Sequence, residues 1–103
     1  MRSWTLRALA CAALMGAAVN TSAGEGEVTV RLFQFQPGEV TVKAGDSVVW
    51  TNQDEIKHTV TAEAFTLALA GKGATASHRF TEPGVYRYRC ERHPNMRGEI
   101  RVN

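Results

Sequence analysis

From Glu27 onward, apolar and polar residues alternate in short runs punctuated by turn residues, the pattern of half-buried strands. The run "EVTVRLFQFQ" sets Val28, Val30, Leu32 and then Phe33 or Phe35 on one buried face, the shift between the phenylalanines implying a bulge. Val40 and Val42 precede "AGD" and Val48 and Trp50 follow it, which predicts a hairpin. "NQDEIK" reads as a polar loop, and "HTVTA" restarts a strand at His58. Between Ala62 and Ser77, Ala and Leu favour helix while two glycines and the threonines oppose it, so the segment reads as a short strand with loops. In "HRFTEPGVYRYRC", Phe80 ends one strand, "EPG" turns, and Val85, Tyr86 and Tyr88 belong to a strand that delivers Cys90. "RGEIRVN" closes the chain with Ile100 and Val102 facing inward. Seven or so such strands, with no long amphipathic helix, no repeat and no low-complexity linker, predict an all-β fold: an antiparallel sandwich or barrel forming a single domain.

The first 23 residues follow a different rule. Arg2 and Arg7 precede the apolar run "ALACAALMGAAV" and the small-residue end "NTSA", which is the layout of an export signal cleaved after Ala23. About 12 apolar residues fall short of the roughly 20 that span a bilayer, so a transmembrane anchor is disfavoured. Lipidation at Cys11 is disfavoured too, because the stretch before it is short and contains Arg7. The expected division is therefore 1–23 as a removed leader and 24–103 as the working domain, exported to the periplasm and without a membrane anchor. Two of the 12 Lys and Arg residues and none of the 10 Asp and Glu residues lie in the leader, so the remainder is charge-balanced. No bulk charge is left to argue for nucleic acid or an anionic membrane.

Removing the leader also changes the sulfur inventory. Cys11, Met1 and Met15 go with it, leaving Cys90 and Met96 as the only sulfur residues. A single thiol in an exported protein cannot form an internal disulfide, and it is either inertly buried or bound to something. It lies in "RCERHPNM", where Cys90, His93 and Met96 recur at every third position, a loop able to aim three donors at one point. Of the other two histidines beyond the leader, His58 opens a strand after a polar loop and is the better fourth donor, whereas His78 occupies what reads as a solvent-facing position. Two imidazoles, a thiolate and a weak thioether are the donor set of a mononuclear type 1 copper site. Zinc favours a fourth Cys or His, or an open water position, and Met fits neither. Binuclear copper needs a second cysteine.

The segments "FQFQPGEVTVKAGDSVVWTNQDEIKHTV" and "FTEPGVYRYRCERHPNMRGEI" resemble the cupredoxins, and the short Cys90, His93, Met96 loop followed by "RG" resembles their amicyanin branch. The likeness spans almost all of the chain after the leader. It implies a Greek-key β-sandwich holding one type 1 copper per chain, with His58 and His93 as imidazole ligands, Cys90 as the short thiolate ligand and Met96 as the long axial one. It also implies that His93, near the surface, is the electron-exit residue. Lys57 and Thr59 stand where amicyanins often have Pro and Asn; Thr59 could offer its hydroxyl to the surroundings of the site. Lys57, Arg92 and Arg97 are candidate partner-binding residues around the exit face. They put positive charge where amicyanin offers methylamine dehydrogenase an apolar patch, so that partner is not carried over.

No Ser/His/Asp set, paired carboxylates or phosphate loop stands out, and a closed four-donor site has no position for substrate. The expected function is that of a monomeric, non-enzymatic periplasmic carrier, moving single electrons between transient redox partners such as a donor dehydrogenase and an acceptor cytochrome. The alternative is a copper storage or delivery module, which would be expected to carry more Met or His donors. The arginines at 87, 89, 92, 97 and 101 read either as a solvated face or as a steering patch for an acidic partner.

Overall fold

The computed structural model describes residues 24–103; the expected leader lies outside them. The described residues form nine strands and no helix: β1 (Glu25–Arg31), β2 (Gln34–Gln36), β3 (Glu39–Val42), β4 (Ser47–Asn52), β5 (His58–Ala62), β6 (Thr66–Leu69), β7 (Thr75–Arg79), β8 (Gly84–Arg89) and β9 (Arg97–Val102). They assemble into a four-stranded sheet, β2-β1-β4-β7, packed on a five-stranded sheet, β3-β9-β8-β5-β6. No helix among the described residues is long and apolar enough to cross a membrane.

The core follows the alternation. Val28, Val30, Phe35, Val48 and Trp50 from one sheet meet Val42, Val60, Leu69, Tyr88, Ile100 and Val102 from the other, alternate side chains of the central strands facing the opposite layer. Trp50 is sealed between the sheets, its ring 5.4 Å from that of Tyr88, which also packs on Phe35 at 4.7 Å. Gly98 lies directly across the ladder from Tyr88. A Cβ at that position would collide with the tyrosine ring, which explains why the strand after the ligand loop begins "RG".

Three expectations are corrected. Phe35 faces the core, but "EVTVRLFQFQ" is not one bulged strand. It folds at Leu32 and Phe33 into a two-residue hairpin loop, with Arg31 opposite Gln34 and both loop residues at positive φ, 53° and 59°. Leu32 is 70% exposed as a result. The "AGD" segment is likewise not a hairpin: β3 pairs in parallel with β9, while β4 crosses to the other sheet and pairs in parallel with β1. Gly45, at φ 98°, makes the corner, and the Asp46 carboxylate accepts the N–H groups of Lys43 and Gly24 at 2.9 and 2.8 Å. Alternation specifies which face is buried, not which strand lies alongside, so a corner between sheets and a hairpin within one look alike in sequence. The sandwich is therefore mixed, with two parallel pairings among antiparallel ones.

His78 is the third correction. It pairs with Val48 in the row that points between the sheets, and its imidazole stacks on Phe65 with centroids 3.9 Å apart and planes 15° apart. Because β7 and β6 are the edge strands of their sheets, this half-buried stack closes one flank of the sandwich.

Candidate metal centre

The ladder between β8 and β9 ends at the pair Arg89 and Arg97, and the residues between them form a short loop that closes on itself. Cys90 N–H donates to the Met96 carbonyl at 3.1 Å, and Met96 N–H to the His93 carbonyl at 2.8 Å. These bonds turn the Cys90 and Met96 side chains inward, where both are buried, and leave His93 half-buried at the rim. His58 comes from the neighbouring strand β5, 1% exposed. Its Nδ1 lies 3.8 Å from Cys90 Sγ, and His93 Nδ1 lies 3.6 Å from the same sulfur. The three donor atoms are all within 4.8 Å of one another, close enough to share one ion, and a set of one thiolate and two imidazoles with a thioether in the same loop suits copper. His78 is not part of the cluster.

Polar contacts around the cluster orient it. Thr59 N–H points at Cys90 Sγ at 3.5 Å, and the Thr59 hydroxyl accepts the Glu91 N–H at 2.9 Å, tying β5 to the start of the loop. Burial pushes the Cys90 thiol up, but the Thr59 N–H, the two imidazoles and the Arg92 N–H outweigh it and bring the thiol down to about 6. A thiol so placed favours the thiolate that a metal requires.

Asp54 connects three parts of this end of the molecule. One carboxylate oxygen lies 2.9 Å from His58 Nε2, leaving Nδ1 turned toward the sulfur; such an outer carboxylate fixes the tautomer and ring angle of a ligating histidine. The same carboxylate accepts the N–H groups of Leu32 and Phe33, at 2.8 and 2.9 Å. Buried Asn52 holds the Asp54 loop in turn, accepting Asp54 N–H and donating to the Ile56 carbonyl, both at 2.9 Å. Partial burial works against the charge on Asp54, but the Phe33 N–H, His58 and the Leu32 N–H overcome it and keep the carboxyl below its ordinary range. With its backbone clamped, Phe33 presents its ring edge-on to both His58 and His93, at centroid distances of 5.1 and 5.0 Å.

The four donors anticipated from sequence thus lie at one end of the sandwich. Lys57 and Arg92 line a recess with Ile56 and His93. Arg97 does not line it; it borders grooves shared with Phe33 and Met96 on one side and with Thr61 and Arg89 on the other. Sequence reasoning missed Asp54 and Phe33. The carboxylate four residues ahead of His58 was a readable signal, whereas Phe33 was hidden because its alternation fitted a core strand equally well.

The sequence profile of the copper binding proteins of the plastocyanin/azurin family matches residues 19–103. Amicyanin-alpha of Methylorubrum extorquens is 30% identical over 109 residues, covering 99% of this chain and 92% of the relative. Amicyanin of Paracoccus denitrificans is 37% identical over 93 residues, covering 84% of this chain and 71% of that one. Among solved structures, an oxidised amicyanin mutant superposes with a TM-score of 0.70 at 32% identity, over 76% of this chain and 81% of that one. Sequence, fold and donor cluster agree: the chain belongs to the plastocyanin/azurin family of copper-binding proteins and is a cupredoxin with amicyanin relatives, in which His58, Cys90 and His93, with Met96 nearby, form a candidate type 1 copper site.

Proposed function

We propose that the protein is a periplasmic, non-enzymatic electron carrier in which His58, Cys90, His93 and Met96 ligate one copper ion per chain. Copper held there would supply a one-electron couple. The observation that carries the reading is the convergence of the His58 and His93 Nδ1 atoms on the Cys90 sulfur, from two directions, inside a rigid sandwich. Asp54 and Thr59 fix these donors through hydrogen bonds, so little rearrangement need accompany a change of charge at the site. His93 is the electron-exit residue, since it alone of the four is not fully buried. Lys57 and Arg92 beside it, and Arg97 nearby, give the exit face a positive character suited to acidic, transiently bound redox partners. Residues 1–23 act as the export signal, and the domain works as a monomer. Storage or delivery has no comparable support, because Met96 is the one methionine beyond the leader.

The test is to add Cu(II) to the purified protein and record visible and electron paramagnetic resonance spectra. An intense thiolate-to-copper charge-transfer band with narrow hyperfine splitting is expected, lost in Cys90→Ser and retained with a shifted potential in Met96→Leu. A colourless or ordinary tetragonal complex refutes the copper assignment. Colour without reversible one-electron cycling refutes the carrier role.

A further inference from the structure

The arginines of the last two strands divide into two sets. Arg87 lies 3.5 Å from Glu99, and Arg101 lies between Glu39 and Glu99, at 2.6 and 2.8 Å. Arg89 and Arg97 are different. They stand directly opposite each other in the β8 and β9 ladder, both are exposed, and neither is in an ion pair among the described residues, which include all ten acidic residues of the chain. Like charges directly across an antiparallel ladder are destabilising, and two register steps away, on the same face, the same strands set Arg87 against Glu99. Thr61 of β5 extends the row on the other side of Arg89. Together with Glu63 and the ion-paired Arg87, these residues line an open recess of about 420 Å³ on the outer face of the five-stranded sheet.

The position of the pair is also specific. Arg89 immediately precedes Cys90 and Arg97 immediately follows Met96, so the two residues mark the foot of the ligand loop, and neither lines the recess that holds Lys57, Arg92 and His93. We infer that Arg89 and Arg97 form a carboxylate clamp that docks acidic side chains of a protein redox partner, beside the recess of Lys57, Arg92 and His93 rather than within it. Planar guanidinium groups bind carboxylates in bidentate fashion, and two of them side by side offer an acidic patch a fixed register. Arg89 is joined directly to Cys90, so a partner held there docks at the base of the ligand loop. The inference rests on the carrier reading for the identity of the partner, but the clamp itself requires no electron to move.

The experiment is a nuclear magnetic resonance titration of the isotope-labelled, Cu(I)-loaded protein with a hexaglutamate peptide. Shifts should centre on Arg89, Arg97 and Thr61 and fade as salt is raised. Arg89→Gln combined with Arg97→Gln should weaken binding at least tenfold, whereas Lys57→Gln with Arg92→Gln should change it less than threefold. Shifts centred on Lys57 and Arg92, or spread evenly over all cations, overturn the clamp. So does saturation of the same shifts by inorganic phosphate at a lower concentration than by the peptide, which would make it a small-anion site. The urea midpoint separates recognition from architecture: relief of like-charge repulsion should leave the Arg89→Gln, Arg97→Gln protein at least as stable as the parent, and a marked loss overturns the inference. Because Cu(I) is diamagnetic and no turnover is measured, failure of the clamp is distinct from failure of the carrier reading, which the spectra and redox cycling decide.

Discussion

Asp54→Ala should loosen the copper end of the molecule more than any surface substitution, and the structure indicates by how much. His58 has a fully buried side chain, and Asp54 is its partner at Nε2. Leaving a buried donor unsatisfied costs about 1–3 kcal/mol. The Leu32 and Phe33 N–H groups also lose their acceptor, but the turn is exposed and water replaces the carboxylate there, so each adds about 0.5 kcal/mol. The sum is about 2–4 kcal/mol for the metal-free protein. With a urea m-value of about 1 kcal/mol/M, the unfolding midpoint should fall by about 2–4 M. Freed from its carboxylate, His58 should also bind copper about 10–100-fold more weakly. Asp54→Asn separates the two oxygens: Oδ2 accepts both His58 Nε2 and the Phe33 N–H while Oδ1 accepts the Leu32 N–H, so an amide oxygen in the Oδ2 place keeps the first two bonds and loses the third, and this variant should lie between wild type and Asp54→Ala in both measurements. Equilibrium unfolding of the metal-free protein and a competitive Cu(II) titration check the two numbers. An unchanged midpoint together with unchanged copper affinity would refute the idea that Asp54 organises the site.

Other consequences are simpler to state. Gly98→Ala drives a methyl group into Tyr88, which Phe35 and Trp50 hold in place, so thermal unfolding should show a loss of about 1–3 kcal/mol. Thr59→Val keeps the shape of the side chain but removes the acceptor for Glu91 N–H; a loss of about 1 kcal/mol and faster copper release to a chelator are expected. Burial in the Phe65 stack holds the His78 imidazole below its ordinary 6.5, so the fold prefers the neutral ring. The unfolded chain then binds the proton more readily as pH falls. The stabilisation is present in full above 6.5 and is lost as pH drops through the lower folded value. His78→Phe should flatten that part of the pH profile relative to wild type; parallel profiles in chemical denaturation would exclude the effect.

Much of the site was legible before the fold was known, because ligation concentrates rare residue types. Cys90 and Met96 are the only sulfurs in residues 24–103, and the loop that holds them is local in sequence. The core positions Val28, Val30, Val48, Trp50, Ile100 and Val102 were legible for a similar reason, since period-two alternation reports burial directly. What escaped were relations between distant segments. The parallel pairings of β1 with β4 and β3 with β9 leave no mark in the alternation of either strand. Phe33 reads as core until it and Leu32 adopt positive φ, and what holds them there is an aspartate 21 residues beyond Phe33. His78 reads as solvated because an edge strand and a surface strand share a composition; only the approach of Phe65 from the turn before β6 distinguishes them.

The bond from Cys90 N–H to the Met96 carbonyl has a consequence for how such a protein can diverge. It seals the ligand loop at its base, so the sandwich below is indifferent to what the loop displays above. Glu91, Arg92, Pro94 and Asn95 are all exposed, and none contributes to the hydrophobic core. Selection for a new redox partner can therefore rewrite these four positions one at a time without spending the stability of the fold, while the residues that turn inward stay under the separate constraint of the metal.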